Sequence, residues 1–280
     1  MDKGVYAGIV TYNPKIERLI ENINSIYPQV DKVIVYDNGS ENIEDIKLLK
    51  NSRITILIGK VNRGIAYALN RLMEYGVSNG YKWMLSLDQD SVCDAKYVNN
   101  MLIYFGCIED VGIYAPVIVD RKIGVIGHCP NKKFACVNTC ITSGAFVNIE
   151  VWKNINGYDE KMFIDSVDFE FCYRVRKAGY KVVQIRDVTL LHELGNSHKE
   201  HFLFWRVTVK GHSAFRKYYI ARNNIYYPLK HRLWLNIVKG NIRNICLLVL
   251  VILYESEKKE KCKSILRGWK DGYKLSIVKN

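Results

Sequence analysis

Four short runs rich in β-branched and apolar residues, VYAGIVTYN, DKVIVYDNGS, RITILIG and YKWMLSL, each break off into a polar loop within the first ninety residues. Helix-like patterns separate them. After Asn13-Pro14, residues Ile16, Leu19, Ile20 and Ile23 share one face. After Asn62-Arg63-Gly64, Ala66, Leu69, Leu72 and Met73 do the same. Apolar residues at three- and four-residue intervals make an amphipathic helix, and continuous apolar runs of five to eight make buried strands. Such alternation predicts an α/β chain with a Rossmann-like, mainly parallel central sheet flanked by helices. Ligands bind such sheets outside the carboxyl ends of the strands. That rule brings Thr11–Asn13, Asp37–Ser40, Asn62–Gly64 and Asp88–Asp90 to one edge.

The loop after the fourth run, LDQDS, sets two carboxylates two positions apart. Hard oxygen ligands at that spacing suit Mg2+ or Mn2+ bridging to phosphate, although two exposed turn residues have the same spacing. Neither G-x-x-x-x-G-K-[ST] nor a G-x-G-x-x-G after the first strand occurs, so a nucleotide site here needs another device. A second acidic cluster, FIDSVDFEF, opens a later helix with Asp165, Asp168 and Glu170. His192 follows in LLHELG.

Charge divides the chain. Residues 1–198 balance 23 Lys and Arg against 23 Asp and Glu, whereas residues 199–280 hold 18 against five. A neutral body with a basic, aromatic tail points to an anionic surface partner, either acidic lipid or nucleic acid. The acidic crevice and the apolar run ICLLVLVILY weigh against nucleic acid. That ten-residue run is about half of the roughly 20 residues that a spanning helix needs, so the expectation is a membrane-surface contact rather than a span. Eight cysteines without a CxxC pair, and no leader-like start, predict a reducing, cytoplasmic setting.

The ordered series VTYN, DNGS, NRGIAYALN, LDQDS, TSGAF, FIDSVDFEFCYRVRKAGY and LLHELG resembles the family-two inverting glycosyltransferases with the GT-A fold. Among them it is most similar to the bacterial rhamnosyltransferases that build surface polysaccharides. The resemblance spans roughly residues 4–225, which leaves 226–280 as a helical extension. It implies a nucleotide-sugar donor, dTDP-β-L-rhamnose with UDP-sugars as the alternative, and a saccharide acceptor that is lipid-linked. It further implies that Thr11, Tyr12, Asn13, Asp37, Asn62, Gly64 and Asp88 hold the nucleotide, with Asp37 on the base. Asp90 and His192 would bind Mn2+ or Mg2+, and Asp168 would be the catalytic base. Ser143, Gly144 and Arg222 would lie beside donor sugar or acceptor. Arg174 reads as a structural ion pair within the acidic cluster. A nucleotidyltransferase would share the metal-binding carboxylates but release pyrophosphate.

Overall fold

The structure, a computed structural model, describes residues 3–120, 124–191, 197–202 and 205–277, with Lys3, residues 197–210 and residues 276–277 described by backbone alone. The chain forms two compact units, Met1–Lys161 with Val167–Glu193, and Met162–Ser166 with Leu194–Asn280.

In the first unit β1 (Lys3–Thr11), α1 (Ile16–Ile26), β2 (Val33–Asp37), α2 (Ile43–Lys47), β3 (Ile54–Ile58), α3 (Ile65–Ser78) and β4 (Tyr81–Asp88) alternate as the periodicity predicts. β5 (Val92–Cys93), α4 (Tyr97–Leu102), β6 (Val111–Asp120), β7 (Gly124–Ile126), β8 (Phe134–Cys136), β9 (Phe146–Asn148), α5 (Ile149–Asn154), α6 (Val167–Lys177) and β10 (Lys181–Leu191) follow. The sheet runs β3-β2-β1-β4-β9-β6-β10-β5, with β7 on β6 and β8 on β10. β1 to β4 are mutually parallel, and so are β6 and β10. β9 inserts antiparallel between β4 and β6, so the parallel character is confined to two blocks. Within and after the TSGAF motif only Phe146–Asn148 is strand, and Thr142–Gly144 are loop.

α1 buries Leu19, Ile23 and Ile26, and α3 buries Leu69, Leu72 and Met73. Each such side chain removed from water contributes about 2 kcal/mol, enough to fix which face of each helix meets the sheet. The Tyr6 hydroxyl, buried between β1 and α3, donates to the Leu72 carbonyl at 2.6 Å.

The second unit holds a hairpin, β11 (Ser197–Phe202) with β12 (Trp205–Lys210), and three helices: α7 (Ala214–Lys230), α8 (Trp234–Tyr254) and α9 (Lys258–Ile277). Ala221, Val251 and Ile265 form its core. A side chain at Gly240 would collide with the Asn224 carbonyl and one at Gly268 with the Tyr218 carbonyl, so both glycines permit close backbone packing onto α7. Glu255 accepts from Lys217 and, at 3.1 Å, from Lys261, all three being buried. The boundary expected at residue 225 falls inside α7, which packs with α8 and α9 in the second unit.

α8 also departs from expectation. At 21 residues it is long and apolar enough to cross a membrane by length and composition. Judged by Ile245–Tyr254 alone it looked half that length; Trp234, Leu235, Ile237, Val238 and Ile242 extend it.

Candidate active site

The strand ends of β1, β2 and β3 are stitched together by short polar side chains. Asp37 closes the DNGS turn: its Oδ2 accepts the Gly39 and Ser40 N–H groups at 3.1 and 3.0 Å. Its Oδ1 takes the Ser40 hydroxyl and the Thr11 hydroxyl, the latter at 3.3 Å. Asp37 and Thr11 are fully buried. Asp37, expected on the base, thus has its two oxygens engaged by four donors from its own turn and from Thr11. Asn38 Nδ2 donates to Asn62 Oδ1 at 3.0 Å and to the Gly64 carbonyl at 3.2 Å, while its Oδ1 accepts the Arg63 N–H at 3.1 Å. Asn62 Oδ1 also takes the Gly64 N–H at 2.9 Å. Gly39 is required here: its φ is +86°, and a Cβ would lie 2.7 Å from the Val61 backbone.

What this scaffold presents outward is Tyr12, 47% exposed, and Asn13, held at φ +46°. Asn13 N donates to Ser40 Oγ, and its Oδ1 accepts the Glu41 N–H, both at 2.8 Å.

β4 delivers the LDQDS loop. Ser91 N returns to the Asp88 carbonyl at 3.2 Å, which makes the turn. Asp88 N donates to Ser143 Oγ at 3.1 Å, and the Ser91 and Ser143 hydroxyls share a hydrogen at 2.6 Å. Gly144 N reaches the Ser86 carbonyl at 2.7 Å, and its own carbonyl accepts Tyr97 Oη at 2.7 Å. Ser143 and Gly144, expected beside sugar or acceptor, are buried and hold this loop. Asn22, on the buried face of α1, donates to the Asp88 carbonyl at 2.5 Å. Sequence reasoning passed over Asn22 and Ser91. The signal for Asn22 was a lone amide amid Leu19, Ile23 and Ile26.

Asp88 is half-buried and Asp90 exposed. Among the described residues no three His, Cys, Asp or Glu cluster as a closed metal site. His192 lies outside the described residues. Two carboxylates on a pinned turn fit a cation that keeps waters and takes its remaining ligands from a substrate phosphate, the habit of Mg2+ and Mn2+ rather than zinc.

The acidic cluster separates by partner. Glu170 is fully buried and accepts Arg174 Nε at 2.8 and 2.9 Å, and Arg174 also donates to the Ile155 carbonyl at 2.6 Å. The expected structural role of Arg174 is what this geometry gives. Within the second unit, Asp165 takes Arg216 at 3.0 and 3.2 Å. Asp168, half-buried at the start of α6, lines a small cavity with Cys140, Thr142, Tyr158, Phe171 and Cys172. Burial holds the Tyr158 hydroxyl well above its usual pKa; the Cys172 hydrogen bond, then burial, raise Cys140 likewise. The floor beneath Asp168 is thus neutral, and the Asp168 charge adds to both shifts.

Arg222 belongs to the second unit. It is buried, donates to the Met162 carbonyl at 2.8 Å and lies over the Tyr219 ring at 4.6 Å. Its neighbour Asn223 uses one amide nitrogen on three carbonyls, those of Met162, Ile164 and Asp165, at 2.8–2.9 Å. Arg222, expected beside donor sugar or acceptor, holds the Met162 carbonyl in the segment that precedes α6.

The model of glycosyl transferase family 2 matches residues 6–126. A relative from Shigella flexneri, dTDP-rhamnosyl transferase RfbF, is 28% identical over 97% of this chain and 96% of its own length. Solved structures share the fold at 12–13% identity. GalNAc-T7 with UDP, GalNAc and Mn2+ superposes with a TM-score of 0.60 over 82% of this chain, which spans half of that protein. The S. aureus TarS 1-349 structure gives 0.57 over 99% of this chain and 73% of its own. The Pyrobaculum calidifontis mannosyltransferase PcManGT, with GDP-Man and Mn2+, gives 0.58 over 98% and 76%. With its strand-end loops and its carboxylate turn after β4, the chain is a glycosyltransferase of the GT-A fold whose residues 6–126 match the glycosyl transferase family 2 model.

Proposed function

We propose that the enzyme transfers L-rhamnose from dTDP-β-L-rhamnose to a saccharide hydroxyl with inversion, assisted by a divalent cation at Asp88 and Asp90. The observation that carries the chemistry is the separation of acidic groups: Asp90 stands exposed after β4, Asp168 heads α6, and Arg174 and Arg216 neutralise the rival carboxylates. The choice of sugar rests on the relative from Shigella. Tyr12 and Asn13 contact the nucleoside, on loops shaped by Thr11, Asp37, Asn62 and Gly64. Asp168 accepts the proton of the acceptor hydroxyl as that oxygen bonds to the anomeric carbon. The bond from that carbon to the nucleoside diphosphate breaks on the opposite face. A bound cation would supply positive charge against the leaving diphosphate.

Thermal unfolding with dTDP, UDP, GDP and CDP, each with Mn2+ or EDTA, tests this. A ligand present at a hundred times its Kd stabilises the fold by about 2.7 kcal/mol, so binding is read directly. Stabilisation by dTDP with Mn2+ supports the proposal, UDP preference changes the donor, and no response to any nucleotide overturns it.

The acceptor is proposed to be lipid-linked and met at the inner face of the cell membrane. On α8 the exposed residues Leu235, Val238, Ile242, Ile245, Val249 and Ile252 recur every three or four positions along one face. The helix carries Lys239 and Arg243 but no acidic residue, and the exposed Lys258, Lys259 and Lys263 follow it. An apolar stripe with basic flanks suits insertion among anionic headgroups. Cosedimentation with anionic but not zwitterionic vesicles, reduced by Ile242→Asp with Ile245→Asp, is the expected result. Equal recovery with and without vesicles would remove the membrane from the account.

A further inference from the structure

The nucleoside loop and the cation loop are joined by the middle residue of LDQDS. The parallel ladder between β1 and β4 ends at the pair Val10 and Asp88. Beyond it β4 turns away, since Ser91 N folds back onto the Asp88 carbonyl. Gln89 Oε1 then stands where a ladder carbonyl would, and accepts the Tyr12 N–H at 2.9 Å. On its other side the β1 loop is tied to β2 through Asn38 N to the Thr11 carbonyl at 2.8 Å and Asn13 N to Ser40 Oγ at 2.8 Å. Tyr12 therefore sits between two loops with different tasks, and a side chain rather than backbone makes the link toward the carboxylates.

We propose that Gln89 is a positioning residue that couples base recognition at Tyr12 to cation binding at Asp88 and Asp90. It rests on the nucleotide and cation sites proposed above. A cation drawn onto the 88–90 turn fixes the backbone that carries Gln89, and a base against the Tyr12 loop fixes the N–H that Gln89 receives. Each ligand then finds the other's loop already ordered, and the benefit is mutual by linkage. One neutral hydrogen bond limits the coupling to about threefold to tenfold in affinity.

The quantity to measure is the ratio of dTDP dissociation constants in EDTA and in Mn2+, by calorimetry on the full chain. Gln89→Ala and the nearly isosteric Gln89→Met, which both lack the acceptor, should lower that ratio about threefold to tenfold. Gln89→Glu, which keeps an acceptor oxygen at the same reach, should hold the ratio at or above the wild-type value. Mn2+ binding alone, followed by electron paramagnetic resonance, should stay within about twofold in Gln89→Met. A ratio unchanged in both Ala and Met variants overturns the coupling. So does equal weakening with and without cation, which would mark a purely structural role. A wild-type ratio of one overturns the underlying nucleotide and cation assignment as well, so the two failures are distinguishable.

Discussion

Arg174 sets its Nε 2.8 and 2.9 Å from the two oxygens of Glu170, and the glutamate is fully buried. That pairing gives Glu170 a structural partner within its own helix. Glu170→Gln should destabilise the fold by about 3–5 kcal/mol, the cost of removing one partner from a buried pair. Denaturant titration reads this. Asp168→Asn should instead leave the denaturation midpoint nearly unchanged while turnover falls by roughly a hundredfold or more. Loss of turnover in Asp165→Asn with full activity in Asp168→Asn would reassign the base.

Asn223 holds three carbonyls of a segment in which Phe163, Asp165 and Ser166 all adopt φ between +62° and +64°. Left-handed backbone at non-glycine residues persists only when surroundings impose it. Asn223→Ala should cost about 1–3 kcal/mol, since several buried acceptors lose one shared donor. Asn223→Asp, equal in size but without the donor, should be at least as damaging. A neutral effect of both in chemical denaturation would show that the segment holds itself.

Gly39→Ala tests the loop of β2. With φ at +86° and the Val61 backbone 2.7 Å from the new Cβ, the turn must open. A loss of about 1–3 kcal/mol in stability is expected, accompanied by weaker dTDP binding because Asn38 no longer meets Asn62. Unaltered dTDP affinity would detach this turn from the nucleotide site.

Burial raises the hydroxyls of Tyr6, Tyr97 and Tyr158 well above their usual pKa. An unfolded tyrosine ionises near about 10. The stabilisation these groups lend is fully present below that value and is lost as pH rises above it, because the unfolded state releases protons that the folded state retains. Unfolding midpoints should therefore hold up to pH about 9 and fall at 10 to 11. Tyr97→Phe should flatten that fall while losing about 1 kcal/mol at neutral pH with its bond to the Gly144 carbonyl. An identical alkaline slope in the variant would contradict this.

Much of the architecture was legible because helix and strand impress different periods on a sequence. Ile16, Leu19 and Ile23 announced α1, although Ile20 from the same set is exposed, and VIVYD announced β2. Individual roles within the crevice were less legible. Asp37, Ser143, Gly144 and Arg222 stand where substrate-contacting residues are expected, yet each turns inward onto backbone or onto a neighbouring turn. Residue type and order do not reveal which way a polar side chain points. Whether Asp37 faces a ligand or its own loop depends on donors from Thr11, Gly39 and Ser40, which only folding brings to it.

By itself the sequence determined the alternating framework, the edge on which polar loops gather, the two acidic clusters and the basic final third, because local patterning and covalent order suffice for these. Only the tertiary structure decided which carboxylates are neutralised by arginine, that α7 packs with the C-terminal helices, and that Gln89 reaches the Tyr12 N–H. Those outcomes depend on contacts between residues far apart in the chain, such as Tyr12 with Gln89 and Asp165 with Arg216. No period or spacing encodes such contacts until the hydrophobic faces have closed.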